Sequence, residues 1–296
     1  MLIGQKFLKQ LTDHVLKISQ AKETEVLVFV ADSSLTRFAN NQIHQNVASE
    51  NLLVQVRAII DKKQGVARVN LPLSASGFFK SGQSLLTSDI KNKLQGVTNK
   101  AYEIAKISPP DRHFSHLPGF AEGKFVYPKI SSYNEKTTLV TPDQKAKEVE
   151  KIIKIARSKK VNAFGSLSVG SEEVVVANSH GVFAYHPLSQ GYLNIRIMGQ
   201  NSSGRSDSPS GYAGETNIDF SKLAIEQATK RAVNKTILGE KQIAIEPGNY
   251  EVVLEEPAVA EMMTYMSYLG FGARSYHEER SFMSSQLGKK VMGENV

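Results

Sequence analysis

The chain has 296 residues and a mass of 32.6 kDa, enough for two hydrophobic cores, and its 41% hydrophobic and 22% charged content is that of a globular protein. It carries a net charge of +7 and no cysteine, which excludes disulfides, iron–sulfur clusters, cysteine-ligated zinc and thiol catalysis. Met1–Lys6 leads directly into an amphipathic pattern and no apolar run of about 18 residues occurs, so a cytoplasmic protein without a signal peptide or membrane partner is expected.

Residues 5 to 21 place Phe7, Leu8, Leu11, Val15, Leu16 and Ile18 on one helical stripe, and Glu25–Ala31 is a β-rich run. Leu35–Phe38 leads to the turn signal Asn40-Asn41. Asn51–Ile60, the turn residues Asp61 to Gly65, and Val66–Val69 form a predicted hairpin. A second amphipathic helix spans Ile90–Ile107 and is stopped by Pro109-Pro110. Residues 108–141 show no sustained period and form a long connection, but Phe114, Phe120, Phe125, Tyr127 and Tyr133 argue that it packs on a surface. Thr141-Pro142-Asp143-Gln144 combines an N-cap, a first-turn proline and a capping-box glutamine, opening a helix with Ala146, Val149, Ile152, Ile153 and Ala156 buried.

The order of elements then repeats. Glu172–Ala177, Asn178–Gly181, Val182–Tyr185 and Tyr192–Ile197 echo the first series, Ala177-Asn178 answering Ala39-Asn40 and Arg196 answering Arg57. A last helix, Phe220–Val233, closes the echo. The expected fold is therefore α+β and two-lobed. An N-terminal lobe over 1–240 has mixed or antiparallel sheets and amphipathic helices in two related layers, 1–107 and 142–240, joined by the loop 108–141. Residues 241–296 begin a β-rich C-terminal lobe, with a strand at Tyr250–Leu254, a turn and a helix.

Candidate chemistry is sparse. The seven histidines are His14, His44, His113, His116, His180, His186 and His277. None has a second histidine one helical turn away on a helix, as a helical zinc-protease motif requires; His113 and His116 share a loop, and His277-Glu278 lacks a following ligand. Asn201 to Gly214 is a small-residue loop without P-loop spacing. Lys147, Lys151, Lys154 and Arg157 share a helical face, part of a basic excess confined to the first two thirds of the chain. Interspersed Glu148 and Glu150, with no interleaved aromatics, argue for a solvated face over nucleic-acid binding. The block Arg37 to Asn46 is denser in amide and imidazole groups than a hairpin needs. Arg37, Asn40, Asn41, His44 and Asn46 are accordingly candidate ligands for a peptide backbone.

This wording is similar to that of the TldD/PmbA family: Leu35 to Asn46, the Gln55-Val56-Arg57 strand with Gly65, Val174 to Gly181, and Pro247 to Ala260. The resemblance implies a two-lobed cytoplasmic protein acting as a dimer, or as a heterodimer of TldD-type and PmbA-type (TldE) subunits. Such a complex is a metalloprotease of the peptidase U62 type on peptides or unfolded proteins, and its members have been labelled modulators of DNA gyrase. In the TldD-type subunit a His-Glu-x-x-x-His helix holds zinc. Here the corresponding positions carry Thr264, Tyr265 and Leu269, which are poor zinc ligands or none. The implied role is that of a PmbA/TldE-like subunit, C-terminally short relative to the family, with no catalytic residue and no metal of its own, the zinc residing in a TldD-type partner. The alternatives are an autonomous metallopeptidase using His113, His116 and His277, and a nucleic-acid- or gyrase-associated binding protein.

Overall fold

Alternating valines and leucines at Val26, Val28, Val30 and at Leu52, Val54, Val56 all point to one face of a sheet, and this alternation sets its register. The structure is a computed structural model describing residues 2–71, 86–119, 128, 130–199, 209–240 and 243–294. The chain runs α1 (Gln5–Ile18), β1 (Glu23–Ala39), β2 (Gln42–Ile60), β3 (Lys63–Leu71), α2 (Ser88–Ile107), α3 (Glu135–Thr138), α4 (Pro142–Ser158), β4 (Val161–Asn178), β5 (Phe183–Gly199), β6 (Ser210–Asn217), a 3-10 turn at Phe220–Lys222, α5 (Ile225–Leu238), α6 (Glu256–Gly270) and α7 (Ala273–His277). The strands form one antiparallel sheet in the order β3-β2-β1-β4-β5-β6. Two compact units result, Met1–Glu240 and Lys241–Val296.

Within the first unit the helices lie on one face of the sheet. Helices α1 and α2 bury Leu8, Leu11, Leu94 and Ala101 against Val26, Val28, Val54 and Val56; α4 and α5 bury Val149, Ile152, Ala228 and Ala232 against Leu167, Leu193 and Ile195. At the start of α4 the capping box forms: Gln144 N donates to Thr141 Oγ1 at 3.2 Å, and Thr141 N donates to Gln144 Oε1 at 2.8 Å. The expected stripe on α4 needs one correction. Lys145, not Ala146, is buried, and its ammonium reaches Ser34.

The two series found in the sequence are the halves of this one sheet, side by side instead of stacked as layers. Arg57 is paired with Glu25 and Arg196 with Phe164, and the step along the chain from Glu25 to Phe164 equals that from Arg57 to Arg196. At the centre Asp32 pairs with Ser171, which follows it by that same step, so a local two-fold axis passes through the pair. The sheet thereby sets Ala39 in correspondence with Asn178, and the Ala-Asn echo of the sequence is one position out of register with it. The outer strands keep the symmetry across a longer connection: Gly65 pairs with Ala58, and Gly211 with Ile197.

Glycine explains two further departures from expectation. The β2–β3 turn is only Asp61-Lys62, both with positive φ (48° and 67°), and Gly65 lies inside β3. A Cβ there would stand 2.1 Å from the Ala101 carbonyl oxygen of α2, and one at Gly211 would stand 1.9 Å from the Ala232 carbonyl oxygen of α5. The glycines let helix backbones seat directly on the edge strands. Ser210–Gly214, expected as a loop, is therefore the start of β6; residues 201–208 of that expectation lie outside the described residues, as do Phe120, Phe125 and Tyr127.

In the second unit the predicted helix forms as α6, with Pro257 in its first turn. The predicted strand at Tyr250–Leu254 does not form, since a strand needs a neighbour and none of the described residues pairs with it; Val253 is 94% exposed. Gly270 packs on Phe282, and Ser281 Oγ donates to the Gly270 carbonyl at 2.6 Å.

Candidate functional site

The Arg37–Asn46 block forms the tip of the β1–β2 hairpin, where Asn40 and Asn41 turn the chain with φ of 49° and 59° in a two-residue loop. The five candidate residues separate into two groups. Asn41 is buried and fully engaged: its Nδ2 donates to Val161 O (2.9 Å) and Asn162 Oδ1 (3.1 Å), and its Oδ1 accepts from Ala163 N (2.8 Å). Its carbonyl accepts from Arg157 Nη2 at 3.0 Å, so one asparagine ties the hairpin tip to the start of β4 and the end of α4. Arg37, Asn40 and His44 stay outside the core, with Arg37 Nη1 donating to Gln45 Oε1 at 3.1 Å. Asn46 is exposed and accepts from the buried Thr36 hydroxyl at 2.6 Å. Between Ile43 and Gln45 the pairing shifts by one, leaving His44 as the extra residue of a β-bulge that turns the hairpin end.

Where the two cores meet at the local two-fold, polar groups replace apolar ones. Lys145 Nζ donates to Ser34 Oγ at 2.6 Å, and burial pushes its pKa down. Glu173, also buried, accepts from Ile3 N (2.6 Å), Gly4 N (2.8 Å) and the Tyr185 hydroxyl (2.9 Å). A carboxylate at the start of α1 satisfies amide groups that the helix cannot, in the favourable direction of its dipole. Tyr185 is held protonated to higher pH, first by burial and then by its bond to Glu173. On the helix-free face above the same axis, Gly170 lies opposite Ser33 and leaves a depression of about 130 Å³ bordered by Ala31, Ser168, Glu172 and Gln190.

The connection after α2 is anchored by backbone groups. Glu23 Oε2 accepts from Leu117 N at 2.7 Å and from His180 Nε2 at 3.2 Å, and Asn178 Nδ2 donates to Pro118 O at 2.7 Å. His113 and His116 are both exposed on this segment, and His277 lies in the other unit. Among the described residues no three His, Cys, Asp or Glu side chains are gathered as a metal ion would require. On the basic face of α4, Lys151 pairs with Glu148 (2.8 Å) and Lys154 with Glu150 (2.9 Å), while Arg157 donates to the Asn41 carbonyl.

On α6, Thr264 Oγ1 donates to the Ala260 carbonyl of its own helix at 2.7 Å, while Tyr265 and Leu269 are 62% and 65% exposed. A hydroxyl spent on its own backbone, a phenol and an alkyl group are not a donor set for zinc. Among the described residues no helix is long and apolar enough to cross a membrane.

The signals behind these features differ. The asparagine turn is visible in the sequence, but that Asn41 faces inward and Asn40 outward is not. Lys145 escapes a reading of the sequence because a lysine in the first turn of a helix is ordinarily solvated.

The profile of the PmbA/TldA metallopeptidase central domain matches residues 135–239, and that of the PmbA/TldA metallopeptidase C-terminal domain matches residues 247–296. Among solved structures, TldE from Thermococcus kodakarensis is 23% identical with a TM-score of 0.62, over 78% of this chain and 47% of that one. A protein from Thermotoga maritima named as a modulator of a DNA gyrase gives 16% and 0.73, over 96% and 60%. One from Bacteroides thetaiotaomicron, similarly named, gives 14% and 0.75, over 98% and 62%. The chain thus spans from about half to three fifths of the length of these proteins. No curated protein matches it. With two domain profiles of one family in tandem over more than half of its length, and a fold shared with these structures, the chain belongs to the TldD/PmbA family.

Proposed function

We propose that this chain is a PmbA/TldE-like subunit of a TldD/PmbA-type metalloprotease complex that processes peptides or unfolded proteins in the cytoplasm, and that it does not itself cut. The observation that carries this reading is the donor set on α6. Thr264, Tyr265 and Leu269 stand where the family's metal-binding helix has its ligands and base, and they offer zinc a back-bonded hydroxyl, a phenol and a hydrocarbon. No step of hydrolysis is therefore assigned to this subunit's residues. Its contribution is to shape the passage of an extended substrate toward a zinc site on a TldD-type partner, or in a dimer with itself. Arg37, Asn40, His44 and Asn46 at the hairpin tip are the groups proposed to meet the peptide backbone.

The ion pairs along α4 count against the nucleic-acid reading, since the lysines that would meet phosphates already face carboxylates of their own helix. The test is reconstitution. Purified alone, the chain should carry no stoichiometric zinc and leave casein-derived peptides intact; mixed with a TldD-type protein it should co-elute and proteolysis should appear. Zinc and hydrolysis by the chain alone would overturn the reading.

A further inference from the structure

The core-facing side of β1 changes character between the two cores. Val26, Val28 and Val30 face the helices of the first core, and by the two-residue period of a strand Asp32, Ser34 and Thr36 continue that face until Phe38 enters the second. Ser34 is met there by Lys145 from the first turn of α4. The lysine Nζ lies 2.6 Å from Ser34 Oγ, and the lysine is 1% exposed while the serine is partly open to solvent.

For a lysine these surroundings are poor. An ammonium has three hydrogens to donate, yet among the described residues Ser34 is its one acceptor and no carboxylate pairs with it; burial pushes its pKa down. Loss of a proton removes the cost of the buried charge and leaves a lone pair in place, which then accepts from the serine hydroxyl. The base is shut away from solvent and the hydroxyl is not. A serine–lysine dyad divides its roles in this way, the amine taking the hydroxyl proton as the oxygen attacks.

We propose that Ser34 is an activated nucleophile, with Lys145 as its base, that takes up an acyl group from a small ester or thioester. Ser34 Oγ bonds to the carbonyl carbon as the bond to the leaving oxygen or sulfur breaks, and the hydroxyl proton passes through Lys145 Nζ to the leaving group. The products are acyl-Ser34 and a free alcohol or thiol, with Lys145 returned to its neutral form. The donor is small because Val169, paired with Ser34, and Thr36, next on the same face, are both buried. This site is distinct from the α6 positions that carry the subunit reading, so either can fail without the other.

Acetylation of the whole chain by p-nitrophenyl acetate, followed by peptide mapping in a mass spectrometer, tests the proposal. Ser33 is the internal standard: it is the adjacent hydroxyl, more exposed, on the opposite face of the strand, and bonded to no amine among the described residues. Ser34 should gain an acetyl group at least about tenfold faster than Ser33, and Lys145→Met, which keeps the bulk and removes the amine, should bring it down to the Ser33 rate. Equal rates at the two serines, an acetyl group on Lys145 in place of Ser34, or a Ser34 rate unchanged by Lys145→Met overturns the proposal. The comparison within the unaltered chain decides it even if the variant fails to fold.

Discussion

Gly65 and Gly211 hold the same place in the two halves of the sheet, each on an edge strand and each pressed against a helix carbonyl, Ala101 O in one case and Ala232 O in the other. The obstructing atoms are backbone, so neither contact can yield by a side-chain rotation. Replacing either glycine by alanine should destabilise the fold by about 1–3 kcal/mol, through displacement of α2 or α5. Urea denaturation checks this; a loss below about 0.5 kcal/mol at both sites, well under the usual cost of overpacking, would show that the helices move freely.

Asn40 and Asn41 share the left-handed backbone conformation but only Asn41 uses its side chain inward. Alanine at either position carries the conformational cost, and at Asn41 it also strands the Ala163 amide and the Val161 carbonyl. Asn41→Ala should therefore be the more destabilising by about 1–3 kcal/mol. Equal denaturation midpoints for the two variants would contradict the assignment.

Lys145 gives a pH dependence with a defined sign. Burial lowers its folded-state pKa below the ordinary 10.5, so between the two values the unfolded chain binds more protons and stability rises with pH. The penalty is full below the folded pKa and vanishes above 10.5. Lys145→Met should be neutral or stabilising near neutral pH and should lack the alkaline rise. Parallel melting curves from neutral pH to pH 10.5 measure the difference; identical slopes would place the ammonium in solvent.

Metal removal should leave the isolated chain unchanged. With Thr264, Tyr265 and Leu269 at the expected metal positions, EDTA should shift its melting temperature by less than about 1 °C, because a ligand that does not bind the native state adds nothing to its stability. A drop of several degrees, restored by zinc, would reveal ligands elsewhere.

How far the sequence carries depends on which physical signal each segment bears. Helices α1, α2 and α4 announce themselves by periodicity and, for α4, by Thr141 and Gln144 in a capping box. The hairpin at Asn40-Asn41 follows from the conformational tolerance of asparagine. The first half of β4 is invisible because Val161–Gly170 interrupts its alternation with Gly165, Ser166, Ser168 and Gly170, of which the two glycines lie against close neighbours that leave no room for a Cβ. The same holds for β6, whose glycines suggest a loop until the α5 backbone is seen above Gly211. At Tyr250–Leu254 the bias is the reverse: strong β propensity with no strand beside it among the described residues. The roles of Asn41 and Lys145 depend on groups far away along the chain, a separation no local pattern encodes.

The central pairing of β1 with β4 joins the halves through a ladder that extends from Glu25–Asn178 to Phe38–Gly165. Alone, each half would expose that strand as a long uncovered margin, and closing it would require a second molecule and hence a sufficient concentration. Covalent linkage makes the encounter intramolecular, so the sheet can close however dilute the protein is. It also frees the halves to diverge. A change on the flank of one half need not be matched on the other, which two identical subunits encoded by one gene could not achieve.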